Sequence, residues 1–253
     1  MMQKAVICGQ PSWRVSSDSA DVYVTELGGH VGPISHPLPN GEARPYLVAP
    51  WADENTGTEY PPFVRVLRGD FFCLPFGISD APFRDEMYPM HGETANERWK
   101  LTAHQESKEG ARLVLDLETR VWSGHVTKTI EVRQGHRAVY QSHCLRGFEG
   151  PMCFGTHPML RFPEKLNSGL VSLSSYTAGQ VYPGEFEEPA NKGYSYLKPG
   201  ATFENLSSVP MANGGTTDLT RYPSHTGFDD LVMVQSEPSS TRAWSAVVFP
   251  ERG

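Results

Sequence analysis

The sequence predicts an all-β protein built mainly from antiparallel strands. Glycine and proline are abundant, with 24 and 21 residues in a chain of 253, and this excess favours turns and short strands over long helices. Alternation of apolar and polar residues with a period of two is the commonest local pattern. Residues 94–99 could form a single helical turn, and nowhere else does the helical period coincide with capping residues.

Three consecutive segments in the middle of the chain predict an antiparallel meander. Residues 111–118 and 126–133 alternate between apolar and polar side chains, and residues 137–145 supply a third strand. Short glycine-containing turns separate the three segments. Residues 243–249 are apolar on both faces, which predicts a central buried strand. Further strands are predicted at residues 21–27, 63–67, 170–174 and 231–235.

Composition and charge exclude several classes of function. The chain has 22 Lys and Arg against 29 Asp and Glu, and no run of Lys or Arg exceeds two residues, so the basic stripe of a nucleic-acid-binding protein is missing. The apolar stretch at residues 5–8 is too short for a membrane span or a signal peptide. The four cysteines are scattered without a Cys-x-x-Cys pair, which fits a reducing compartment. We therefore expect a cytoplasmic protein that acts on a small molecule.

Three segments place histidine or aspartate beside residues that restrict the backbone. They are residues 69–77 with 89–99, residues 154–163 and residues 225–230. These residue types suit a sugar, because Asp, His and Asn bond to hydroxyls and an aromatic ring stacks on the apolar face of the pyranose. A histidine near its usual pKa of about 6.5 can protonate the ring oxygen while a base removes the anomeric proton.

The order of these segments resembles the galactose mutarotase (aldose 1-epimerase) superfamily, including its hexose-6-phosphate mutarotase branch. GDFFCLPFG at residues 69–77 and HGETANERW at residues 91–99 are similar to a Gly-rich Cys-x-Pro-x-x-Gly stretch and a following His-Gly segment with Trp eight residues after the His. THP at residues 156–158 resembles the segment that carries the general-acid histidine. GFDD at residues 227–230 resembles the segment whose Asp binds sugar hydroxyls. The resemblance extends over residues 13–250.

The resemblance implies an antiparallel β-supersandwich, which we expect as one domain over residues 1–253, and an isomerase that interconverts sugar anomers. It implies that His157 is the general acid and that His91 bonds a hydroxyl or the ring oxygen. The other sugar-binding candidates are Asp229, Asn96, Trp99 and Phe76. Since the reaction moves only protons, we expect no cofactor and no metal. The expected partner is a small carbohydrate, with neither nucleic acid nor membrane, and the chain is expected to be a monomer or a weak homodimer.

The sequence also departs from the pattern of this superfamily. Ala95 stands where the phosphosugar branch has Arg, which disfavours a sugar phosphate. The family's Arg ligand is not visible either, so Asp70, Arg84 or Asn96 would have to replace it. Its general base, a Glu on a late strand, has no counterpart after Asp229, and we expect the last strands of the supersandwich to be missing from this chain.

Each candidate residue also has a plainer role open to it. His157 could cap a turn beside Pro158, and His91 could bond a loop carbonyl. Trp99 could belong to the core, and Asp229 could form an Asx turn with Asp230 as the ligand instead. Cys73 is expected to pack as a small hydrophobic residue. Two other functions stay open, namely a non-catalytic carbohydrate-binding protein and an accessory β-sandwich domain of a polysaccharide-degrading enzyme.

Overall fold

The computed structural model describes residues 4–54, 57, 59–77, 81, 82, 85–184, 195–224 and 230–250. About 47% of the chain is strand and 4% is helical, so the prediction of an all-β fold is confirmed. The chain divides into two compact units, Met1–Arg161 and Phe162–Gly253, each of which is described by itself. The single domain over residues 1–253 stays a prediction.

The first unit contains two larger antiparallel sheets and one small sheet. Its elements are β1 (Ala5–Ile7), β2 (Gln10–Ser16), β3 (Asp21–Thr25), β4 (Val31–Leu38), β5 (Gly41–Ala43), α1 (Pro62–Arg65), β6 (Phe72–Cys73), α2 (Gly92–Asn96), β7 (Lys100–Ser107), β8 (Gly110–Thr119), β9 (Gly124–Arg133), β10 (Val139–Arg146) and β11 (Gly155–Thr156). Strands β1 to β5 lie side by side in chain order, β7 to β10 do the same in the second sheet, and β6 pairs with β11.

The predicted meander corresponds to β8, β9 and β10, which pair in continuous antiparallel register. Alternation sends one face of each strand inward, and the inward faces of the two larger sheets meet in a common apolar core. Its buried members include Trp13, Val15, Val22, Val24, Leu113, Leu115, Val126 and Ile130. One member of the inward face of β9 is not apolar: Lys128 lies between Val126 and Ile130 on that face and is completely buried.

The predicted strand at residues 63–67 is wrong, because the chain forms the short helix α1 there. Pro62 occupies the beginning of this helix, where its fixed φ suits the first turn and its missing N–H costs no hydrogen bond. The predicted helical turn at residues 94–99 is present, but as α2 it begins at Gly92 and ends at Asn96. Helix α2 directly follows His91.

A short extended segment around β6 joins three parts of the first unit. Asp70 pairs with Val31 at the start of β4, through hydrogen bonds of 2.7 and 3.1 Å between their backbones. On its other side, Phe72 and Cys73 pair with β11. This segment therefore connects the first sheet to the strand that precedes His157.

The second unit consists of short antiparallel strands around a small core of its own. Its strands are β12 (Gly169–Leu173), β13 (Tyr176–Val181), β14 (Thr202–Phe203), β15 (Val209–Pro210), β16 (Thr216–Thr217), β17 (Arg221–Tyr222), β18 (Val232–Ser236) and β19 (Ser245–Val248). Strands β12 and β18 lie within one residue of their predicted positions. The prediction that residues 243–249 form a central strand is wrong: among the described residues β19 pairs with β12 alone, and Val248 is 56% exposed.

No helix in the described part of the chain is both long and apolar enough to span a membrane.

Candidate active site

His157 is held by backbone pairing directly after β11. Its N–H donates to the carbonyl oxygen of Phe71 at 2.8 Å, and the N–H of Met159 donates to Gly69 at 2.8 Å. The imidazole lies almost parallel to the ring of Phe71, with centroids 4.7 Å apart and an angle of 10°. The position and the plane of the His157 ring are therefore set by the segment that contains Phe71.

His91 reaches the same place from a strained turn before α2. Its φ of 63° lies in the left-handed region, and its N–H donates to Gly77 at 2.9 Å. The next residue, Gly92, also has a positive φ, and a Cβ there would lie 1.9 Å from the carbonyl oxygen of Leu74. Only glycine fits at position 92 without moving the backbone. The turn directs the His91 ring towards Phe71, with centroids 5.5 Å apart.

Three of the predicted site residues meet at this point. The rings of His91 and His157 stand at 77° with their centroids 5.2 Å apart. The ring of Phe76 lies 5.8 Å from His91 and 6.2 Å from His157. Phe76 is 42% exposed, so an apolar face beside the two imidazoles is open to solvent.

The surroundings of His91 favour its neutral form. Burial and the neighbouring His157 lower the pKa of His91 to about 4, so His91 is neutral at pH 7. The Nδ1 atoms of His91 and His157 are buried, and neither has a hydrogen-bond partner among the described residues. The site thus contains a neutral His91 imidazole and two Nδ1 atoms that could bond to a ligand.

No family model matches the chain, and no curated protein matches it. Among solved structures, Slr1438 from Synechocystis sp. PCC 6803 superposes with a TM-score of 0.50 at 16% identity, over 66% of this chain and 60% of that protein. YeaD from Salmonella typhimurium, provisionally assigned as a mutarotase, superposes with a TM-score of 0.51 at 16% identity, over 71% of this chain and 57% of that protein. The chain has a galactose mutarotase-like fold. It spans less than two thirds of the length of either protein.

In this galactose mutarotase-like fold, Asn96 and Trp99 are buried, and their side chains bond to the protein itself. Asn96 is 5% exposed, and its amide nitrogen donates to Met90 and Gly92 at 2.8 Å while its oxygen accepts the N–H of Phe63 at 3.2 Å. Trp99 is 2% exposed and donates through Nε1 to the carbonyl oxygen of Thr94 at 2.9 Å. The structure corrects both predictions of sugar contact, because these side chains are used to hold α2 and the core.

Four other residues singled out in the sequence either lie outside the described structure or have a structural role. Asp229 and Arg84 lie outside the described residues. Asp230, in the second unit, accepts the backbone N–H groups of Tyr196 and Leu197 with Oδ2, at 2.9 and 3.2 Å. Cys73 packs as a small hydrophobic residue, as predicted: it is fully buried, and burial raises its pKa to about 12. Among the described residues, no group of three or more side chains could hold a metal ion.

His30 supports the site by stacking on Phe71, and no motif in the sequence indicates this role. Its ring stacks on Phe71 on the side away from His157, with centroids 4.3 Å apart and an angle of 13°. His30 is fully buried, and burial lowers its pKa well below the usual value. A neutral His30, Phe71 and His157 therefore form one stack of three rings.

Sequence reasoning also missed a buried polar cluster behind this stack. The Nζ atom of Lys128 donates to the carbonyl oxygen of Gly29 at 2.6 Å and lies 5.1 Å from the ring of Trp99, and burial lowers the pKa of Lys128 to about 8. Asp70 is 5% exposed and accepts the side-chain N–H of Gln141 at 2.6 Å. The available signal was the position of Lys128, which occupies an inward place on an alternating strand.

His143 lies on the inward face of β10, directly opposite Lys128 in the register. Its ring stacks on Phe72 with centroids 3.9 Å apart. Burial, and then the charge of Lys128, lower the pKa of His143 to about 3, so it is neutral at pH 7. Phe72 and Asp70 thus face this cluster, whereas Phe71 between them faces His157, as the alternation of an extended segment requires.

Proposed function

We propose that this chain binds an aldose in its pyranose form beside His91, His157 and Phe76, and interconverts its anomers by opening and closing the ring. The perpendicular pair of imidazoles, 5.2 Å apart and next to a half-exposed phenyl ring, carries the proposal. It combines a group that can transfer a proton with an apolar surface for the face of a sugar. The shared fold with YeaD is consistent with carbohydrate chemistry.

The proposed reaction moves two protons and no other group. His157 donates a proton to the ring oxygen as the bond between that oxygen and C1 breaks, and a base takes the proton of the anomeric hydroxyl. The product is the open-chain aldehyde. After rotation about the C1–C2 bond, the same steps run backwards. The hydroxyl that ring opening released attacks C1 and returns its proton to His157, and the base protonates the new anomeric oxygen.

The lowered pKa of His91 assigns the roles of the two imidazoles. Because the pKa of His91 is lowered to about 4, this residue is a neutral imidazole at pH 7, and we assign it the hydrogen bond that orients the sugar. His157 is then the general acid. Phe76 stacks on the sugar. We assign the base to none of the described residues.

Exchange spectroscopy of anomeric protons tests this function directly. A panel of free hexoses, pentoses and deoxy sugars is followed by NMR with and without the protein. We expect accelerated exchange for at least one sugar and a loss of about 10²-fold or more in His157→Ala. His136→Ala is the matched control, since His136 lies exposed in the turn before β10. Folded wild-type protein that accelerates the exchange of no sugar would contradict the proposal.

A non-catalytic sugar-binding protein is the second candidate. It is favoured by the surroundings of the two imidazoles: their ring neighbours are aromatic, and no described carboxylate forms an ion pair with either. This candidate predicts that sugars shift the resonances of Phe76 without accelerated anomer exchange in any variant. Loss of that binding in Phe76→Ala, with exchange at the uncatalysed rate throughout, would favour it over the isomerase.

A further inference from the structure

Two opposite charges lie buried behind the stack that holds His157. Lys128 has no exposed surface, and Asp70 is 5% exposed. Burial raises the pKa of Asp70 and lowers the pKa of Lys128 to about 8, and in each case the charge of the other residue is the foremost influence that opposes burial. The two groups form no direct ion pair: the ammonium group bonds to Gly29 and the carboxylate to Gln141. Opposite charges buried in this way seldom stabilise a protein more than apolar residues of the same size would. Their place in the structure therefore suggests a role other than stability.

Each charge is anchored to a different segment of the chain. Lys128 donates to the carbonyl oxygen of Gly29. Asp70 accepts the N–H of Gln141 through its side chain and pairs with Val31 through its backbone. The pair and its hydrogen bonds thus connect residues 29–31, residues 69–71 and the strands β9 and β10.

The residue that follows each anchor carries a ring of the stack. His30 follows Gly29, and Phe71 follows Asp70. His30 and Phe71 stack on each other at 4.3 Å, and His157 lies on the other side of Phe71 at 4.7 Å. His157 is also bonded to the Phe71 carbonyl oxygen through its N–H. A shift of either anchored segment would move the surface on which the His157 ring lies.

We infer that the Lys128–Asp70 pair sets the orientation of the His157 imidazole for proton transfer to the sugar; this inference rests on the proposed function. Both are positioning residues: Lys128 is bonded to the carbonyl oxygen of Gly29, and Asp70 to the side-chain amide of Gln141. An apolar pair would fill the same volume, but it could neither bond the Gly29 carbonyl oxygen nor accept the hydrogen bond of Gln141. Small displacements of a reacting group lower turnover strongly. Residues that keep the His157 imidazole in place would therefore be useful for turnover even if they did not stabilise the fold.

The double variant Asp70→Asn/Lys128→Met separates positioning from stability, because it removes both charges together. We measure kcat and KM for anomer exchange of D-glucose and D-galactose on the full chain, together with the imidazole resonances of His157, which His157→Ala identifies. We expect kcat to fall at least about tenfold with KM within about twofold, and the His157 resonances to shift. Ile130→Val, on the same face of β9, is the matched control and should change neither.

A double variant with wild-type kcat and unmoved His157 resonances would overturn the inference. If wild-type protein accelerates the exchange of neither sugar and of no other sugar in the panel, the proposed function fails, and the resonances alone decide whether the pair positions His157. If the double variant does not fold, Gln141→Leu takes its place, since it removes the hydrogen bond to Asp70 from a half-buried position. Shifted His157 resonances in Gln141→Leu support the inference, and unchanged ones reject it.

Discussion

The rings of His91 and His157 stand at 77° to each other with their centroids 5.2 Å apart. They come from a left-handed turn before α2 and from the end of β11, so no short sequence motif places them together. Burial and the neighbouring His157 hold the pKa of His91 at about 4. A pair of identical side chains can in this way supply one hydrogen-bonding group and one acid.

His91→Asn tests this division of roles. Asparagine tolerates the left-handed backbone at this position, so the turn should persist while the imidazole is lost. Because the neutral His91 contributes a hydrogen bond and no proton, we expect kcat/KM for anomer exchange to fall about tenfold, well short of the loss in His157→Ala. Equal losses in the two variants would contradict the assignment of His157 as the sole acid.

Gly92→Ala tests whether the close approach of Gly92 to Leu74 holds the His91 turn in place. The new Cβ would have to lie 1.9 Å from the carbonyl oxygen of Leu74, and the backbone cannot yield without moving the turn. Gly135→Ala is a matched control, since Gly135 has nearly the same φ of 74° and nothing within 4 Å of its Cβ position. We expect Gly135→Ala to lower the free energy of unfolding by about 1–2 kcal/mol and Gly92→Ala to lower it clearly more, as measured by urea denaturation. Equal losses would show that the turn relaxes around the methyl group.

The sequence predicted features set by neighbouring residues better than features that depend on residues far away along the chain. Alternation predicted β8 and β9 because an inward face of apolar residues is a property of each strand by itself. The strand predicted at residues 63–67 failed because Pro62 starts a helix that the apolar residues alone do not reveal. The burial of Lys128 depends on a carbonyl oxygen 99 residues away, so no local pattern contains it.

The predicted site shows the same distinction. The motif resemblance brought His91 and His157 forward as partners before their contact was known. It also selected Asn96 and Trp99, whose residue types suit a sugar. Their hydrogen bonds run instead to backbone groups of residues 63–94, and such partners cannot be inferred from residue type.

The buried pair makes a prediction about stability that is opposite in sign to its effect on turnover. In Asp70→Asn/Lys128→Met no charge remains to be kept from water, so we expect the free energy of unfolding at pH 7 to rise by about 1–4 kcal/mol. The pKa of Lys128 is about 8 in the folded protein, below its unfolded value. The cost of its burial is therefore fully present below pH 8 and is relieved as the pH rises towards the unfolded pKa. The advantage of the variant should narrow over that range in chemical denaturation series, and a gap that widens above pH 8 would contradict it.

His143 should make the protein sensitive to acid. Its pKa is about 3 in the folded state against 6.5 in the unfolded chain, so the unfolded state binds the additional proton between these values and stability falls as the pH drops through that window. One such group contributes a slope of up to about 1.4 kcal/mol per pH unit. His143→Phe can keep a flat ring against Phe72, and we expect it to flatten the decline between pH 6.5 and 4. An unchanged slope would mean that His143 reaches water before it takes up its proton.

Phe76 and Trp99 provide the last comparison, because one aromatic ring is open to solvent and the other is enclosed. Phe76→Ala removes a ring that is 42% exposed, so we expect KM for the sugar to rise up to about tenfold with little change in stability. Trp99→Phe removes the hydrogen bond to Thr94 and the contact with the Lys128 ammonium group, which should lower the free energy of unfolding by about 1–3 kcal/mol and leave KM unchanged. A rise of KM in Trp99→Phe at wild-type stability would restore Trp99 as a sugar contact, and the aromatic surface of the site would then have to lie on the other side of α2.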